Sequence, residues 1–391
     1  MTQAIRMEKK QLVTAAKELQ KELVKIRRWL HSHAEVGFDL PLTKKFVESR
    51  LKEFGYSPKP CGRSGVIATV GKGEKFLLRA DMDGLPIREQ TGKEYAAVNG
   101  NMHACGHDMH MAMLLGAAKL LKKYQSELNR EIVLMFQPAE EILEGAKDMI
   151  EAGVLDGVKG GMMIHVVLSP LDLGTVIVGE GVTSPSADYF EIGVQGKGCH
   201  GSTPTEGVDA AVITANILLS LEHLIAREVP ASDSSVLTVG KLQAGTAGNV
   251  IADTGWLEGT LRTYAPKTRK LIKKRIQELA SGVAKAYRGQ AETKFKGGCP
   301  PLENDKKLSK FALENLRELF EKNVYSSAEL GGRGSGGSED FAYVSEKIPS
   351  VMLALVAGDS EFPLHHPKVC FEESILWQGA AIFACLALSK K

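Results

Sequence analysis

The sequence has almost no excess charge of either sign. Its 391 residues include 49 Lys and Arg against 47 Asp and Glu. We find no basic run with interleaved aromatic residues, which is the pattern of a surface that binds nucleic acid or an anionic membrane. The composition therefore favours a small molecule as the partner of this protein.

The sequence also lacks a long uninterrupted apolar segment. Residues 1–19 mix acidic and basic residues on a helical pattern, which is not a signal peptide, and no later stretch approaches a membrane span. The cysteines are few and widely scattered, at Cys61, Cys105, Cys199, Cys299, Cys370 and Cys385. This spacing fits reduced thiols better than a disulfide framework. We therefore expect a cytoplasmic protein without a membrane partner.

The chain is longer than most domains that fold around a single hydrophobic core. With 391 residues, 43% of them hydrophobic, two domains are expected. Short β-rich runs at residues 65–71, 76–81, 131–137 and 161–166 alternate with helical patterns, including residues 12–30 and 42–54. This alternation predicts an α/β domain whose mostly parallel sheet carries helices on both faces.

The pattern changes after residue 183. Residues 184–296 follow the order β-α-β-β-α-β, which is typical of a small ferredoxin-like α+β domain with one sheet face covered. We predict that residues 1–183 and 297–391 form the first domain and that residues 184–296 are inserted into it. The glycine-rich stretch 331–337 lacks the GK[ST] of a phosphate loop, so we expect a flexible or substrate-lining loop there.

Residues of metal-ligand type crowd the stretch 101–113, which reads NMHACGHDMHMAM. They lie in a turn leading into a predicted helix and comprise His103, Cys105, His107, Asp108 and His110. Gly106 lets the turn direct Cys105 and His107 towards one point, and a divalent cation favours the thiolate form of cysteine. The alternative is a small buried cysteine with capping or solvent-facing histidines. The density of the cluster favours a metal site.

More residues of this kind end the predicted strands or follow them: Asp81, Asp83, Glu140, Glu141 and His165. In parallel sheets, ligands gather beyond the carboxyl ends of the strands. The two glutamates are predicted to open a helix, where they would diverge by about 100°, so one could bind metal while the other reaches a water molecule. The alternatives are ordinary helix electrostatics for the glutamates and a satisfied core histidine for His165.

Eight sequence blocks occur in one order: LLRADMDGLPI, MHACGHDMH, FQPAEE, IHV, GKGCHGSTP, AGNVIAD, GSEDF and LHHP. Together they resemble the amidohydrolase branch of the aminoacylase/carboxypeptidase family of dinuclear metallohydrolases. That branch includes bacterial hippurate hydrolases, N-acyl-amino-acid amidohydrolases and plant auxin-conjugate hydrolases. The sequence departs from the family pattern in IHVVLSP, which lacks the aromatic residue and proline that often follow the histidine, and at Cys199, where glycine is usual.

The resemblance implies a dinuclear centre in which Cys105 bridges two metal ions. The remaining ligands would be His107, Glu141, His165 and His365. Glu140 would be the catalytic carboxylate, and Asp83 would orient a ligand. The LHHP block offers two adjacent histidines, and we choose His365 because it matches the family's histidine in LHxP, although His366 has the same ligand chemistry.

The resemblance also implies a shared active site. His200 would act in catalysis, with Asn249 and Arg262 binding the substrate, each against the metal site of a partner subunit in a homodimer or higher homo-oligomer. Without the resemblance, these residues would be a turn residue, a turn cap and an exposed charge. We predict no functional role for His31, His33, His110 and His223.

The expected reaction is metal-assisted hydrolysis of the amide bond of an N-acyl amino acid, with an acetyl, benzoyl or similar acyl group. Two divalent ions per subunit are expected, Mn or Zn by resemblance, while Ni and Co also suit this mixture of ligands. The enzyme alternatives are a dedicated biosynthetic N-acetyl-amino acid deacetylase, for example of acetyl-diaminopimelate, and a dipeptidase. A third alternative is a metal- or ligand-binding protein on a retired hydrolase scaffold, but Glu140 argues against it because a pure binder needs no base.

Overall fold

The computed structural model describes residues 2–332 and 337–389, with side chains described from Lys9 onward. Residues 333–336 of the predicted glycine-rich loop lie outside the described residues. Internal contacts group the chain into two units. The first unit contains the chain up to Thr183 and most of the chain from Glu303 onward, and the second unit contains Ser184–Leu302.

The first part of the chain alternates helices and strands. Its helices are α1 (Thr2–Glu18), α2 (Gln20–Ser32), α3 (Pro41–Glu53), α4 (His107–Lys123) and α5 (Gly145–Glu151). Its strands are β1 (Lys59–Cys61), β2 (Gly65–Val70), β3 (Lys75–Asp81), β4 (Glu131–Gln137), β5 (Val158–Val167), β6 (Val176–Val178) and β7 (Gly181–Ser184). The predicted single helix over residues 12–30 is wrong, because the chain makes a tight turn at Leu19, whose N–H donates to the Ala16 carbonyl at 3.0 Å.

The second unit begins within this part of the chain and is built from six main elements. They are β8 (Ser186–Gln195), α6 (Ala210–Glu228), β10 (Ser235–Ala244), β12 (Thr254–Thr263), α7 (Pro266–Ala286) and β13 (Gln290–Cys299). Two short strands, β9 (Cys199–His200) and β11 (Val250–Ile251), pair with each other.

The chain then completes the first unit. The remaining strands are β14 (Leu302–Asn304), β15 (Val324–Ser326) and β16 (Ser350–Val356). The remaining helices are α8 (Lys306–Phe320), α9 (Ala342–Ser345) and α10 (Leu376–Leu388). The helix α10 is almost wholly buried and packs against α4, and it was absent from the elements predicted from the sequence.

The first unit is organised around an eight-stranded sheet with the order β1-β2-β4-β3-β5-β16-β6-β15. The four strands at its centre, from β4 to β16, run parallel to one another. Strands β3 and β4 are buried along almost their whole length, which requires cover on both faces. The predicted α/β fold with a mostly parallel sheet is therefore confirmed, and the carboxyl ends of the central strands meet at one edge.

The second unit has a four-stranded antiparallel sheet with the order β10-β12-β8-β13. Buried residues alternate along β12, so only one face of this sheet is covered. The helices α6 and α7 cover that face and contribute Ile213, Ile217, Leu221, Ile272 and Ile276 to a separate core. The β-α-β-β-α-β pattern predicted from the sequence is confirmed.

The helix α6 is long and apolar enough to cross a membrane, judged by length and composition alone. It contains 19 residues, and 33% of its most apolar stretch is buried. A core helix can meet the same criteria of length and composition, so this helix does not overturn the expectation that no stretch approaches a membrane span. Its inner face forms part of the core of the second unit, which accounts for part of its apolar character.

A buried ionic network joins α2 to the start of α4. The Arg27 guanidinium donates to the Asp108 carboxylate at 2.6 Å, and His31 Nδ1 lies 2.8 Å from the same oxygen. His31 Nε2 lies 3.1 Å from the Glu89 carboxylate. Because a buried charge that loses its partner costs about 3–5 kcal/mol, this network holds α2 firmly against α4.

We predict that His31→Gln removes a pH-dependent part of the stability. Burial alone lowers the pKa of His31, but the hydrogen bond and charge of Asp108 outweigh burial and raise that pKa above 6.5. The resulting stabilisation is fully present below about pH 6.5 and is lost as the pH rises through the folded-state pKa.

The free energy of unfolding should therefore differ most between wild type and His31→Gln at about pH 6, by roughly 2 kcal/mol, and less at about pH 9. Denaturant unfolding at both pH values measures this difference. His223→Gln on α6 is the control, since His223 is exposed. A difference that is the same at both pH values would contradict the prediction.

Candidate metal centre

The turn before α4 places a thiol and an imidazole side by side. Gly106 has φ +90°, and a Cβ at this position would lie 2.4 Å from the Cγ2 atom of Val166. Only glycine therefore allows the chain to turn here without displacing its neighbours. The His107 Nδ1 nitrogen lies 2.8 Å from the Asp83 carbonyl oxygen, so Nδ1 carries the proton and Nε2 keeps its lone pair.

The two adjacent glutamates lie in a turn and not at the start of a helix, so that part of the prediction is wrong. The helix α5 begins only at Gly145, and the turn is bounded by two residues in the left-handed region, Ala139 (φ 56°) and Leu143 (φ 58°). The Asp83 carboxylate accepts hydrogen bonds from the backbone N–H groups of Glu140 (3.0 Å) and Glu141 (3.2 Å). A carboxylate from another part of the chain thus holds the turn.

His165 lies near the carboxyl end of β5 and faces the thiol. Its Nδ1 nitrogen donates to the Val166 carbonyl at 2.7 Å, and its Nε2 nitrogen lies 3.6 Å from the Cys105 sulfur. The lone pair of Nε2 therefore faces Cys105, which is the arrangement required of a metal ligand.

The loop after β16 brings His365, and not His366, to this cluster. The His365 Nε2 nitrogen lies 3.6 Å from a carboxylate oxygen of Glu141, and the His365 backbone has a left-handed φ of 66°. His366 instead stacks on Phe362, with ring centroids 4.5 Å apart. The choice of His365 over His366 agrees with this geometry.

Five groups of three ligand atoms lie within 4.8 Å of one another in the described part of the chain, and two of these groups contain the Cys105 sulfur. One group is Cys105, His107 and His165, and the other is Cys105, Glu141 and His365. They share the Cys105 sulfur, so the arrangement fits two cations with a common ligand. The buried Nε2 atom of His107 has no hydrogen-bond partner in the described part of the chain, and a metal ion would satisfy it.

The pKa shifts of the first ligand group do not all favour the ligand forms. The low pKa of His165 favours its neutral form, whereas the raised pKa values of Cys105 and His107 mean that a cation would have to displace a proton from each. Burial raises the pKa of the Cys105 thiol to about 12 and lowers the pKa of His165 to about 3. Burial alone would lower the pKa of His107, but the negative charge of Asp81 outweighs it and raises that pKa. A divalent cation stabilises a buried thiolate and requires the neutral form of a histidine ligand.

Asp81 and His110 lie next to the cluster but are bonded to other groups. Asp81 accepts hydrogen bonds from His110 Nδ1 and from the Arg79 guanidinium, both at 2.6 Å. His110 Nε2 accepts from the Val166 N–H at 2.9 Å, so both of its ring nitrogens are used. We infer that these residues support the ligands and do not bind metal themselves. The structural assignment of His110 from the sequence fits this arrangement.

Besides His110, two further members of the sequence cluster lie outside both ligand groups. His103 is buried, and its ring nitrogens have no hydrogen-bond partner among the residues described. Burial lowers the pKa of His103 to about 3. Asp108 belongs to the network with Arg27 described above. The density of ligand-type residues in this stretch therefore exceeds the number that the candidate metal groups use.

Three buried polar residues near the centre were not identified from the sequence. Arg79, in the middle of β3, donates to Gln137 at the end of β4 (2.9 Å) and to Asp340 (2.7 Å). All three have no exposed surface. One feature of the sequence could have indicated these residues: Arg79 lies inside an apolar strand, and a buried arginine needs buried polar partners.

The predicted substrate and oxyanion residues all lie in the second unit. The pairing of β9 with β11 brings His200 beside Val250, and therefore close to Asn249, whose carbonyl accepts from the Gly201 N–H at 2.8 Å. Arg262 lies on the uncovered face of the four-stranded sheet, with its guanidinium carbon 5.6 Å from the centre of the Tyr189 ring. None of them is on the elements that carry the candidate metal ligands.

Comparison with known proteins identifies one family model, described as peptidase family M20/M25/M40, which matches residues 77–389. An N-acetylcysteine deacetylase of Bacillus subtilis is 36% identical over 96% of this chain and 98% of its own. An Arabidopsis thaliana protein, IAA-amino acid hydrolase ILR1-like 4, is 37% identical over 93% of this chain and 84% of its own. These matches confirm the family resemblance inferred from the sequence blocks.

A solved structure from Bacillus subtilis has a similar fold. It is described as a dinuclear metal binding peptidase from the M20 family, and it is 34% identical in sequence with a TM-score of 0.79. The match covers 95% of this chain and 98% of that chain. Both units of the fold are therefore found in a structure that is described as binding two metal ions.

We predict that Gly106→Ala lowers the number of bound metal ions below two per subunit. The added Cβ would meet Val166 at 2.4 Å on a left-handed backbone, so Cys105 and His107 must move apart. The expected loss of stability is about 1–3 kcal/mol. Elemental analysis of the purified variant measures the metal content.

Gly100→Ala is the matched control. Gly100 also has a left-handed φ, at 88°, but a Cβ there would meet nothing within 4 Å. This control should keep its metal content, although the backbone strain is similar. If Gly106→Ala retains two metal ions per subunit, the proposed role of the Cys105–His107 turn is wrong.

Proposed function

The chain belongs to peptidase family M20/M25/M40, and from this membership we propose that it is a metal-dependent amidohydrolase acting on N-acyl amino acids. The products are a carboxylate and a free amino acid. The observation that carries this proposal is the pair of ligand groups that share the Cys105 sulfur. The Glu140 carboxylate lies beside them, 3.9 Å from His107 Nε2.

The residues would hold two divalent cations, Mn or Zn, with Cys105 as the common ligand. When bound, such cations polarise an amide carbonyl and lower the pKa of a water molecule. Glu140 then accepts a proton from the attacking water and delivers it to the leaving nitrogen as the carbon–nitrogen bond breaks. Asp83 holds the Glu140–Glu141 turn in position through its two backbone hydrogen bonds.

The second unit would supply donors to the substrate. His200 Nδ1 accepts a hydrogen bond from the Ser202 backbone N–H at 3.2 Å, so in the neutral ring Nε2 carries the proton. We propose that this N–H stabilises the oxyanion that develops on the substrate carbonyl, while Asn249 and Arg262 bind its carbonyl or carboxylate. By family resemblance, these residues would serve the active site of a partner subunit.

A homodimer is supported by the surface of the second unit. The outer side of α6 exposes Val212 and Leu219, and the neighbouring edge strand β10 exposes Leu242 on the sheet face that α6 covers. Exposed apolar side chains beside an unpaired strand edge are a suitable surface for a second copy of the chain. We propose this surface as the dimer interface.

We also propose that the protein acts in the cytoplasm. All six cysteines are free thiols, which suits a reducing compartment.

Within the proposed function, the alternatives differ mainly in the acyl group of the substrate. The relatives named above include a deacetylase and an IAA-amino acid hydrolase, so a dedicated acetyl-amino acid deacetylase is the nearest competing activity. A panel of acetyl-, benzoyl- and indoleacetyl-amino acids, with dipeptides, separates these activities. Turnover of dipeptides alone would favour the dipeptidase alternative.

We predict that Glu140→Gln lowers kcat about 10²- to 10⁴-fold, because glutamine cannot accept and return the proton. The variant should still bind two metal ions, since Glu140 belongs to neither ligand group with Cys105. Amine release measures kcat, and elemental analysis measures the metal. Glu151→Gln, at an exposed position on α5, is the control. A Glu140→Gln enzyme with wild-type turnover would show that this mechanism is wrong.

We further predict complementation between two inactive variants. If His200 acts on the partner's site, mixing His200→Ala with Glu140→Ala subunits gives mixed dimers with one intact site. Random pairing restores about a quarter of wild-type activity. Activity is measured after subunit exchange has been demonstrated by a mass tag on one variant. A mixture that stays inactive after proven exchange contradicts the shared site.

A further inference from the structure

A buried arginine connects two aspartates next to the candidate centre. Arg79 donates to Asp81 at 2.6 Å through one terminal nitrogen and to Asp340 at 2.7 Å through the other. Its remaining Nε–H donates to Gln137 at 2.9 Å. All of these side chains are fully buried, so their charges and hydrogen bonds hold one another in a fixed geometry.

The Asp340 carboxylate is held from three directions. In addition to Arg79, the Gln137 side-chain amide donates to it at 2.8 Å, and the backbone N–H of Ala146 donates to it at 2.8 Å. Ala146 lies in the first turn of α5, where backbone N–H groups need acceptors outside the helix. Asp340 therefore connects β3 and the end of β4 to the helix that follows the Glu140–Glu141 turn.

The backbone of Asp340 contacts the proposed base. Its N–H donates to the Oε1 atom of Glu140 at 3.4 Å. The other oxygen, Oε2, lies 3.9 Å from His107 Nε2, on the side of the candidate metal ligands. One carboxylate oxygen thus faces the protein backbone while the other faces the ligands.

We propose that Asp340, anchored by Arg79, is a positioning residue that orients the carboxylate of Glu140. This inference rests on the proposed function, in which Glu140 is the base. A side chain with free rotation about its last bond would present either oxygen, or neither, to the attacking water. The Asp340 N–H fixes this rotation because the anchored carboxylate of Asp340 holds that stretch of backbone in place.

The test is Asp340→Asn in the full-length, metal-loaded enzyme. Asparagine has nearly the same shape, but it loses the charge that pairs with Arg79 and puts an amide N–H₂ where three donors converge. We expect kcat to fall at least tenfold, with KM and the content of two metal ions per subunit unchanged. A purely structural role would lower the fraction of active enzyme and the metal content together.

Asp188→Asn is the matched control. Asp188 is also fully buried, and it pairs with Arg269 (2.7 Å) and Lys273 (2.7 Å) within the second unit. The control should lose comparable stability and keep kcat. If both variants lower kcat equally, or if Asp340→Asn keeps kcat within twofold of wild type, the inference is overturned.

A second comparison assigns the effect to Glu140. The shorter Glu140→Asp side chain should not reach the Asp340 N–H, so adding Asp340→Asn to it should lower kcat by less than twofold further. Equal losses in the wild-type and Glu140→Asp backgrounds would mean that Asp340 acts independently of Glu140, and would overturn the inference.

A milder variant serves if Asp340→Asn does not fold. Gln137→Met removes the hydrogen bonds of Gln137 to Arg79 and Asp340 but leaves both charges in place, and it should lower kcat several-fold with unchanged KM. An unchanged kcat in folded Gln137→Met would overturn the inference in that case.

The experiments distinguish failure of the proposed function from failure of the positioning role of Asp340. If Glu140→Gln keeps wild-type turnover, Glu140 is not the base. If Glu140→Gln is inactive while Asp340→Asn is fully active, only the positioning role is wrong.

Discussion

The candidate centre depends on the ion pairs of the buried Arg79 guanidinium. The guanidinium pairs with both Asp81 and Asp340, which are fully buried, and the two aspartates contact different residues around the centre. Asp81 holds His110 next to the two histidine ligands of the first group, and Asp340 reaches the Glu140 turn. Removing one partner from such a group leaves an uncompensated buried charge, which costs about 3–5 kcal/mol. The candidate ligands are therefore held by a network whose members lie outside the two ligand groups that contain Cys105.

Asp83, two residues beyond the end of β3, complements this network. Its backbone carbonyl fixes the tautomer of His107, while its carboxylate binds the two N–H groups of the glutamate turn. One residue thus sets the direction of an imidazole lone pair and the position of two carboxylates. Metal sites depend on such outer contacts, because a ligand that can rotate loses binding free energy when it is fixed.

The sequence predicted the parts of the site that depend on local spacing. Cys105, Gly106 and His107 are neighbours in the chain, so their convergence follows from one turn before one helix. The strands and the inserted α+β pattern were also predictable, because the spacing of apolar residues along the chain indicates which face of each element is buried. The family blocks added His365, which no local pattern would have indicated.

The errors arise where distant residues determine the local structure. Glu140 and Glu141 follow a proline and precede a helix, so local rules favour a helix start. The turn that forms instead depends on the Asp83 carboxylate, 57 residues away along the chain from Glu140. The triangle of Arg79, Gln137 and Asp340 joins residues up to 261 positions apart. Single-residue preferences contain no information about such pairings.

The left-handed backbone of His365 has a consequence for engineering. Residues other than glycine and asparagine are uncommon at such angles, and each costs about 1 kcal/mol or more. Ala139 and Leu143, which bound the glutamate turn, share this conformation. A redesign that seeks greater stability would replace all three residues with glycine or asparagine. At His365 that choice removes a candidate ligand, so the thermostability of this fold and the integrity of its centre are competing objectives at that position.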